Sequence, residues 1–252
     1  MDATAATILF FLAGLLVGSF LTVVAHRVPL GESIVGGRSR CPACGAQIAA
    51  YDNVPVLSWL VLRGRARCCG EAISSRYPLT ELATGVLYAA IALAFHDDVA
   101  QLALGLVFVT TLVAVTLTDL ERRIIPNKIL AVAAVLAVAI AAVGDPSSLP
   151  ERAIAAIAAG GLLLAAALAY PRGMGLGDVK LAATMGLFLG RDVGPAILVA
   201  LLAGSVVGLA MIARHGAAAR KRAIPFGPFL ALGGIVGLFA GEELIDWYLS
   251  TF

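Results

Sequence analysis

The chain has 252 residues, 60% of them hydrophobic and 13% charged, with a formal net charge of +2 and a mean hydropathy of +0.96. Soluble domains are nearer half apolar and a quarter charged, so this composition excludes disorder and argues against a water-soluble globule. So small a net charge gives no reason to expect a nucleic-acid partner; the expected surrounding is a lipid bilayer. A membrane-crossing helix needs about 20 apolar residues, and the scan finds eight candidate stretches. In chain order they cover residues 5–26, 79–95, 101–119, 128–143, 152–171, 178–190, 193–213 and 225–249. The predicted fold is an all-α polytopic membrane protein with about eight transmembrane helices. The sixth stretch is short and nearly continuous with the seventh, which leaves room for a re-entrant segment. The first runs directly into a basic loop, as a retained span does, and lacks the small-residue site of a signal peptide.

Charge placement predicts the orientation. If successive loops alternate between faces, 16 of the 18 lysines and arginines share one face. They comprise seven arginines from Arg27 to Arg76, then Arg122, Arg123 and Lys128, then Arg172 and Lys180, and finally Arg214, Arg220, Lys221 and Arg222. Only Arg152 and Arg191 fall opposite, among acids such as Asp97, Asp98, Asp145, Asp192 and Glu242. Basic residues near span ends stay cytoplasmic, so both termini are expected outside the cytoplasm. Glycines four apart mark helix seams where backbones approach closely: Gly14 and Gly18, Gly204 and Gly208, and Gly233, Gly237 and Gly241.

Residues 27–78 differ from the spans around them and form a small cytoplasmic loop domain. They hold all four cysteines and the turn formers Pro42, Gly45, Asn53, Pro55, Gly64 and Gly70. Cys41-Pro42-Ala43-Cys44-Gly45 is a knuckle of the kind a tetrahedral zinc site uses. Cys68 and Cys69 are adjacent, which makes the second half irregular. Zinc on all four thiolates, zinc on three with Cys68 a bystander, an unmetallated thiol cluster and a disulfide all remain open, the last disfavoured by a reducing compartment. A metal would supply folding energy that so short a loop lacks. Trp59 is expected to anchor the module on the membrane or in its own small core.

Two carboxylates stand out. An acid within a span costs about 2.5–3.5 kcal/mol on insertion scales, so it marks a candidate site. Asp119 closes the third span and Asp178 opens the sixth, and the alternating topology brings both to one depth near the cytoplasmic boundary. Two neighbouring carboxyl groups can share a proton, one accepting from water while the other polarises a peptide carbonyl. Gly175 and Gly177 are expected to let an extended substrate backbone approach. Asp178 at a helix N-terminus and Asp119 near a C-terminus suggest that Asp119 is the more readily protonated member.

Taken together, these residues resemble the prepilin peptidases, or type IV leader peptidases, aspartic proteases of the GxGD class. The resemblance runs through Gly18-Ser19-Phe20-Leu21, Arg27-Val28-Pro29, the Cys41 knuckle, Leu57-Ser58-Trp59-Leu60 and Arg76-Tyr77-Pro78-Leu79-Thr80-Glu81. It continues through Asp119 with Ile125-Pro126-Asn127 and the segment from Gly173 to Leu181. It implies a bacterial inner-membrane endopeptidase that removes the short basic leader of type IV prepilins and pseudopilins at the cytoplasmic side, with Asp119 and Asp178 catalytic. Members with the cysteine loop commonly also methylate the new N-terminus using S-adenosylmethionine. This chain departs from the family at Ala66, where a cysteine is expected, leaving Cys68 to substitute. Glu32, Glu71 and Glu81 are candidates for attracting a basic leader. The domain division read from the sequence is a first helix (residues 1–26), the cysteine module (27–78) and a peptidase core (79–252). A proton-coupled transporter also uses intramembrane carboxylates, but it needs them near the midplane and needs no knuckle. An assembly factor would keep the fold without chemistry.

Overall fold

The computed structural model describes residues 2–34, 39–170, 174–216 and 224–251. Arg38, Arg172, Arg220, Lys221 and Arg222, which support the orientation, and Gly173 of the glycine motif lie outside the described residues. The protein divides into two compact units, residues 1–96 and 97–252. The first holds α1 (Ala3–Arg27), α2 (Leu57–Val61) and α3 (Arg76–Phe95). The second holds α4 (Val99–Arg122), α5 (Asn127–Gly144), α6 (Leu149–Ala169), α7 (Leu176–Leu189), α8 (Val193–His215) and α9 (Gly227–Thr251). Among the described residues there is no strand, only the isolated bridges Arg40 to Gln47 and Arg65 to Ala72. The protein is an all-α polytopic membrane protein.

Each of the eight predicted stretches is a helix, but seven continuous segments are long and apolar enough to cross a membrane. The difference lies in Leu176–His215, a 40-residue apolar segment that a single turn at Gly190–Asp192 breaks into α7 and α8. At 1.5 Å per residue, α7 is about 21 Å long, short of the roughly 30 Å hydrocarbon core. Gly190 makes the break with φ +59, a conformation that favours glycine. The carbonyls at the end of α7 are capped from α6: Arg152 Nη1 donates to Leu187 O at 3.1 Å and Phe188 O at 2.6 Å. Glu151 Oε1 accepts the Arg191 N–H at 3.0 Å across the same turn. Orphaned carbonyls in an apolar medium are costly, which gives Arg152 a structural task at this break.

In the first unit the Gly14 and Gly18 seam is present. A Cβ at Gly14 would lie 2.8 Å from Gly85 Cα, and one at Gly18 the same distance from Glu81 Cα, so α1 and α3 meet backbone to backbone. Trp59 belongs to the module's own core: its Nε1–H donates to Ile73 O at 3.0 Å and its ring covers Gly64. Glu81 is buried and accepts the Val56 N–H at 2.7 Å, so it braces the module and does not offer a surface charge to a leader. Val56 needs that brace, because its φ of 61 is strained for a β-branched residue.

The core of the second unit is built on Phe108, Leu112, Leu163, Leu181, Met185 and Leu230. Phe108 stacks on Phe188 with ring centroids 5.0 Å apart. Gly160 and Gly186 let α6 and α7 touch, and Gly233 and Gly237 do the same for α8 and α9. Gly241 abuts Asp192, and Gly204 faces the Phe226 ring, whereas Gly208 faces open space and forms no seam.

Candidate active site

Asp119 sits in the last turn of α4. The helix ends at Arg122 because Arg123 takes a left-handed conformation at φ 56 and donates its N–H to Asp119 O at 2.9 Å. Pro126, without an N–H to give, then precedes α5. The Asp119 side chain points inward with 6% of its surface exposed, and its Oδ2 accepts the N–H of Gly227, the first residue of α9, at 2.8 Å. Sequence reasoning missed Gly227. A Cβ there would lie 2.7 Å from Asp119 Oδ2, so only glycine fits.

Asp178 lies in the first turn of α7, 9% exposed. Its Oδ2 accepts the N–H of Gly175 at 3.1 Å, and its own N–H donates to Gly175 O at 3.1 Å. The two carboxyl groups are close enough for their charges to act on one another. Two further contacts fix α7 against the α4–α5 connection: Ile125 packs where a Cβ on Gly177 would fall, 3.0 Å away, and Lys180 Nζ donates to Asn127 Oδ1 at 3.0 Å. Lys180 therefore serves the frame of the site. Each carboxylate accepts an amide at the start of a helix, Asp119 from the first residue of α9 and Asp178 from the residue preceding α7.

The four cysteines converge in the first unit. Cys41 Sγ lies 3.7 Å from Cys69 Sγ, Cys44 Sγ 3.4 Å from Cys68 Sγ, and Cys68 Sγ 3.9 Å from Cys69 Sγ. All four sulfurs fall within 4.8 Å of one another, and all are free thiols. A tetrahedral zinc with Zn–S bonds of about 2.3 Å separates its sulfurs by about 3.8 Å, so this donor set fits that ion.

The two halves of the cluster are built alike. Cys41 N–H bonds Ala46 O at 2.8 Å while Gly45 N–H bonds Cys41 O at 2.9 Å; Ala66 N–H bonds Glu71 O at 2.8 Å while Gly70 N–H bonds Ala66 O at 2.7 Å. Ala66 thus occupies the place of Cys41, and Cys68 reaches the cluster from two residues further on. The tight turn at Gly70, φ +74, lets adjacent Cys68 and Cys69 both face inward. Amide hydrogen bonds from Cys44 and Ala43 lower the Cys41 thiol from 9.0 to about 7, whereas its hydrogen bond with Cys44 pushes Cys68 up to about 12.

A bundle of apolar helices burying a pair of interacting carboxyl groups defines a polytopic membrane protein with a built acid site. Residues 12–95 match the family described as Bacterial Peptidase A24 N-terminal domain, and residues 106–213 match the Type IV leader peptidase family. A prepilin leader peptidase/N-methyltransferase of Aeromonas hydrophila is 34% identical over 274 residues, covering 97% of this chain and 94% of the relative. The protein of that name from Bacillus subtilis (strain 168) is 34% identical, covering 96% and 97%. The one from Burkholderia pseudomallei (strain 1026b) is 37% identical, covering 90% and 83%. No solved structure matches. The chain belongs to the type IV leader peptidase family and is an enzyme of the peptidase class.

Proposed function

We propose that the protein is an aspartic endopeptidase that removes the leader of type IV prepilins or pseudopilins at the cytoplasmic face of a bacterial inner membrane, with Asp119 and Asp178 as its catalytic residues. The observation that carries this reading is the pair itself: two buried carboxyl groups, each with one oxygen anchored by a main-chain amide. One carboxylate takes a proton from water, whose oxygen attacks the scissile carbonyl carbon. The protonated partner donates to the carbonyl oxygen, and collapse of the tetrahedral intermediate passes a proton to the leaving amine. Both aspartates occupy helix ends, which suits a substrate whose apolar stem lies in the membrane and whose leader lies outside it. The orientation has both termini on the periplasmic side, following the distribution of basic residues.

Residues 1–26 are assigned to the first membrane helix, 27–78 to the module and 79–252 to the peptidase core. Cys41, Cys44, Cys68 and Cys69 would hold a zinc ion that stabilises the module and takes no part in hydrolysis. Methylation of the new N-terminus is the second activity in the relatives' name. It would draw on S-adenosylmethionine, for which the described residues contain no strand, glycine-loop and helix cradle. The purified protein in lipid bilayers, given a prepilin, is expected to release an intact leader detected by mass spectrometry. Asp119→Asn and Asp178→Asn should each leave the prepilin at full mass; complete processing by either variant rejects the dyad. A methyl increment of the mature chain tests the second activity in the same spectrum.

A further inference from the structure

Gly175 and Gly227 share a feature that a substrate-approach role does not explain. They lie 52 positions apart in the sequence, on different elements, yet each donates its main-chain N–H to Oδ2 of one aspartate of the pair, at 3.1 and 2.8 Å. A carboxylate has two oxygens, and free rotation about its last bond would let either face a partner. Anchoring one oxygen to a donor fixed in the main chain stops that rotation and so sets where the other oxygen of that carboxylate points. Gly227 donates as the first residue of a 25-residue helix, so its position is set by the whole of α9. Gly175 donates from the residue preceding α7.

The requirement differs at the two positions. A Cβ on Gly175 would meet only Asp178 Oδ2, at an ordinary 3.5 Å, and Gly175 has φ −84, which any residue adopts. Alanine therefore fits at position 175 with its N–H intact, whereas proline removes the N–H. A substrate-approach glycine requires an absent Cβ and no particular amide, so the two roles respond differently to these substitutions.

We propose that the main-chain N–H groups of Gly175 and Gly227 are positioning groups of the peptidase, each locking one oxygen of Asp178 or Asp119 so that the free oxygens of the pair converge. This rests on the reading of Asp119 and Asp178 as the catalytic pair. Under this proposal Gly175 orients a carboxylate, and Ile125 packs against Gly177.

Gly175 permits a clean test, because φ −84 is near the proline value and Gly175→Pro removes the N–H with little change of backbone, whereas Gly175→Ala keeps it. The full chain in lipid bilayers is assayed for kcat and KM on a prepilin. Loss of a hydrogen bond to a charged group predicts that Gly175→Pro lowers kcat about ten- to a hundredfold with KM little changed. Gly175→Ala should recover most of that kcat. Equal kcat in the two variants overturns the proposal, as does a rise in KM in Gly175→Ala, which would restore the approach role.

Should Gly175→Pro fail to fold, amide exchange in glycine-labelled protein decides the matter. The Gly175 and Gly227 amides are expected to exchange about tenfold or more faster in Asp178→Ala and Asp119→Ala respectively, the loss of one hydrogen bond. Unchanged exchange overturns the proposal. Failure of the catalytic pair itself would appear separately, as leader cleavage by Asp119→Asn or Asp178→Asn.

Discussion

Replacing Gly227 with alanine is the sharpest steric probe of the site. The added methyl would sit 2.7 Å from Asp119 Oδ2 and 3.2 Å from its Cβ and Cγ, where ordinary contact begins at 3.4 Å. Neither side yields easily, since Gly227 starts α9 and Asp119 ends α4, with Leu112 and Leu230 buried along the same two helices. The carboxylate must withdraw by about 0.7 Å, which stretches its 2.8 Å bond to the Gly227 amide beyond useful length. Misplacing a reacting group by about an ångström costs on the order of a hundredfold in rate. Overpacking adds a stability loss of about 1–3 kcal/mol. Cleavage of a prepilin by the purified variant, with its unfolding followed in the same detergent, separates the two effects. The expected result is a folded protein with kcat reduced about a hundredfold. A Gly227→Ala protein that cleaves within about threefold of wild type would refute the close approach of α9 to Asp119 and the geometry reasoned from it.

The cysteine module and the far end of the bundle give further tests. If Cys68 replaces the ligand missing at Ala66, the double change Ala66→Cys with Cys68→Ala retains one zinc per chain and Cys68→Ser loses affinity; metal analysis showing no effect of Cys68→Ser would exclude it as a ligand. In the metal-free protein, thiolate absorbance should rise first near pH 7 from Cys41 and last near pH 12 from Cys68; a single step near 9 contradicts the cluster. The depressed Cys41 value gives stability that is present above pH 9 and is lost as pH falls through 7. Arg152→Met strips two carbonyls at the end of α7 of their cap and is expected to lower unfolding free energy by about 2–4 kcal/mol, with Arg152→Lys recovering part; an unchanged unfolding midpoint would show the cap to be idle.

The helices were legible because a bilayer leaves a chain little choice: long apolar runs must form helices, and an acid such as Asp119 or Asp178 at their ends stands out against them. The break between α7 and α8 was visible only as a short sixth stretch, since Gly190 and its supports Glu151 and Arg152 belong to different helices. Gly227 was hidden for the same reason. Its partner lies 108 residues away, and a main-chain amide leaves no mark on a sequence. Glu81 misled in the opposite direction. It looked like a loop acid free to meet a basic leader, but its task is set by the strained Val56 backbone, a tertiary demand with no pattern of its own. Ala66 stands where the family has a cysteine, and the sequence alone leaves open whether Cys68 joins the cluster; in the fold its sulfur lies with the other three.

The central claim is that Asp119 and Asp178 act as one unit, and single-turnover cleavage by Asp119→Asn, Asp178→Asn and the double variant addresses it most directly. Residues that share one chemical step lose their effect together, so each single variant should be slower by about a thousandfold or more and the double variant no slower than either. Rates in which the two losses multiply, or a single variant that keeps wild-type cleavage, would contradict the account.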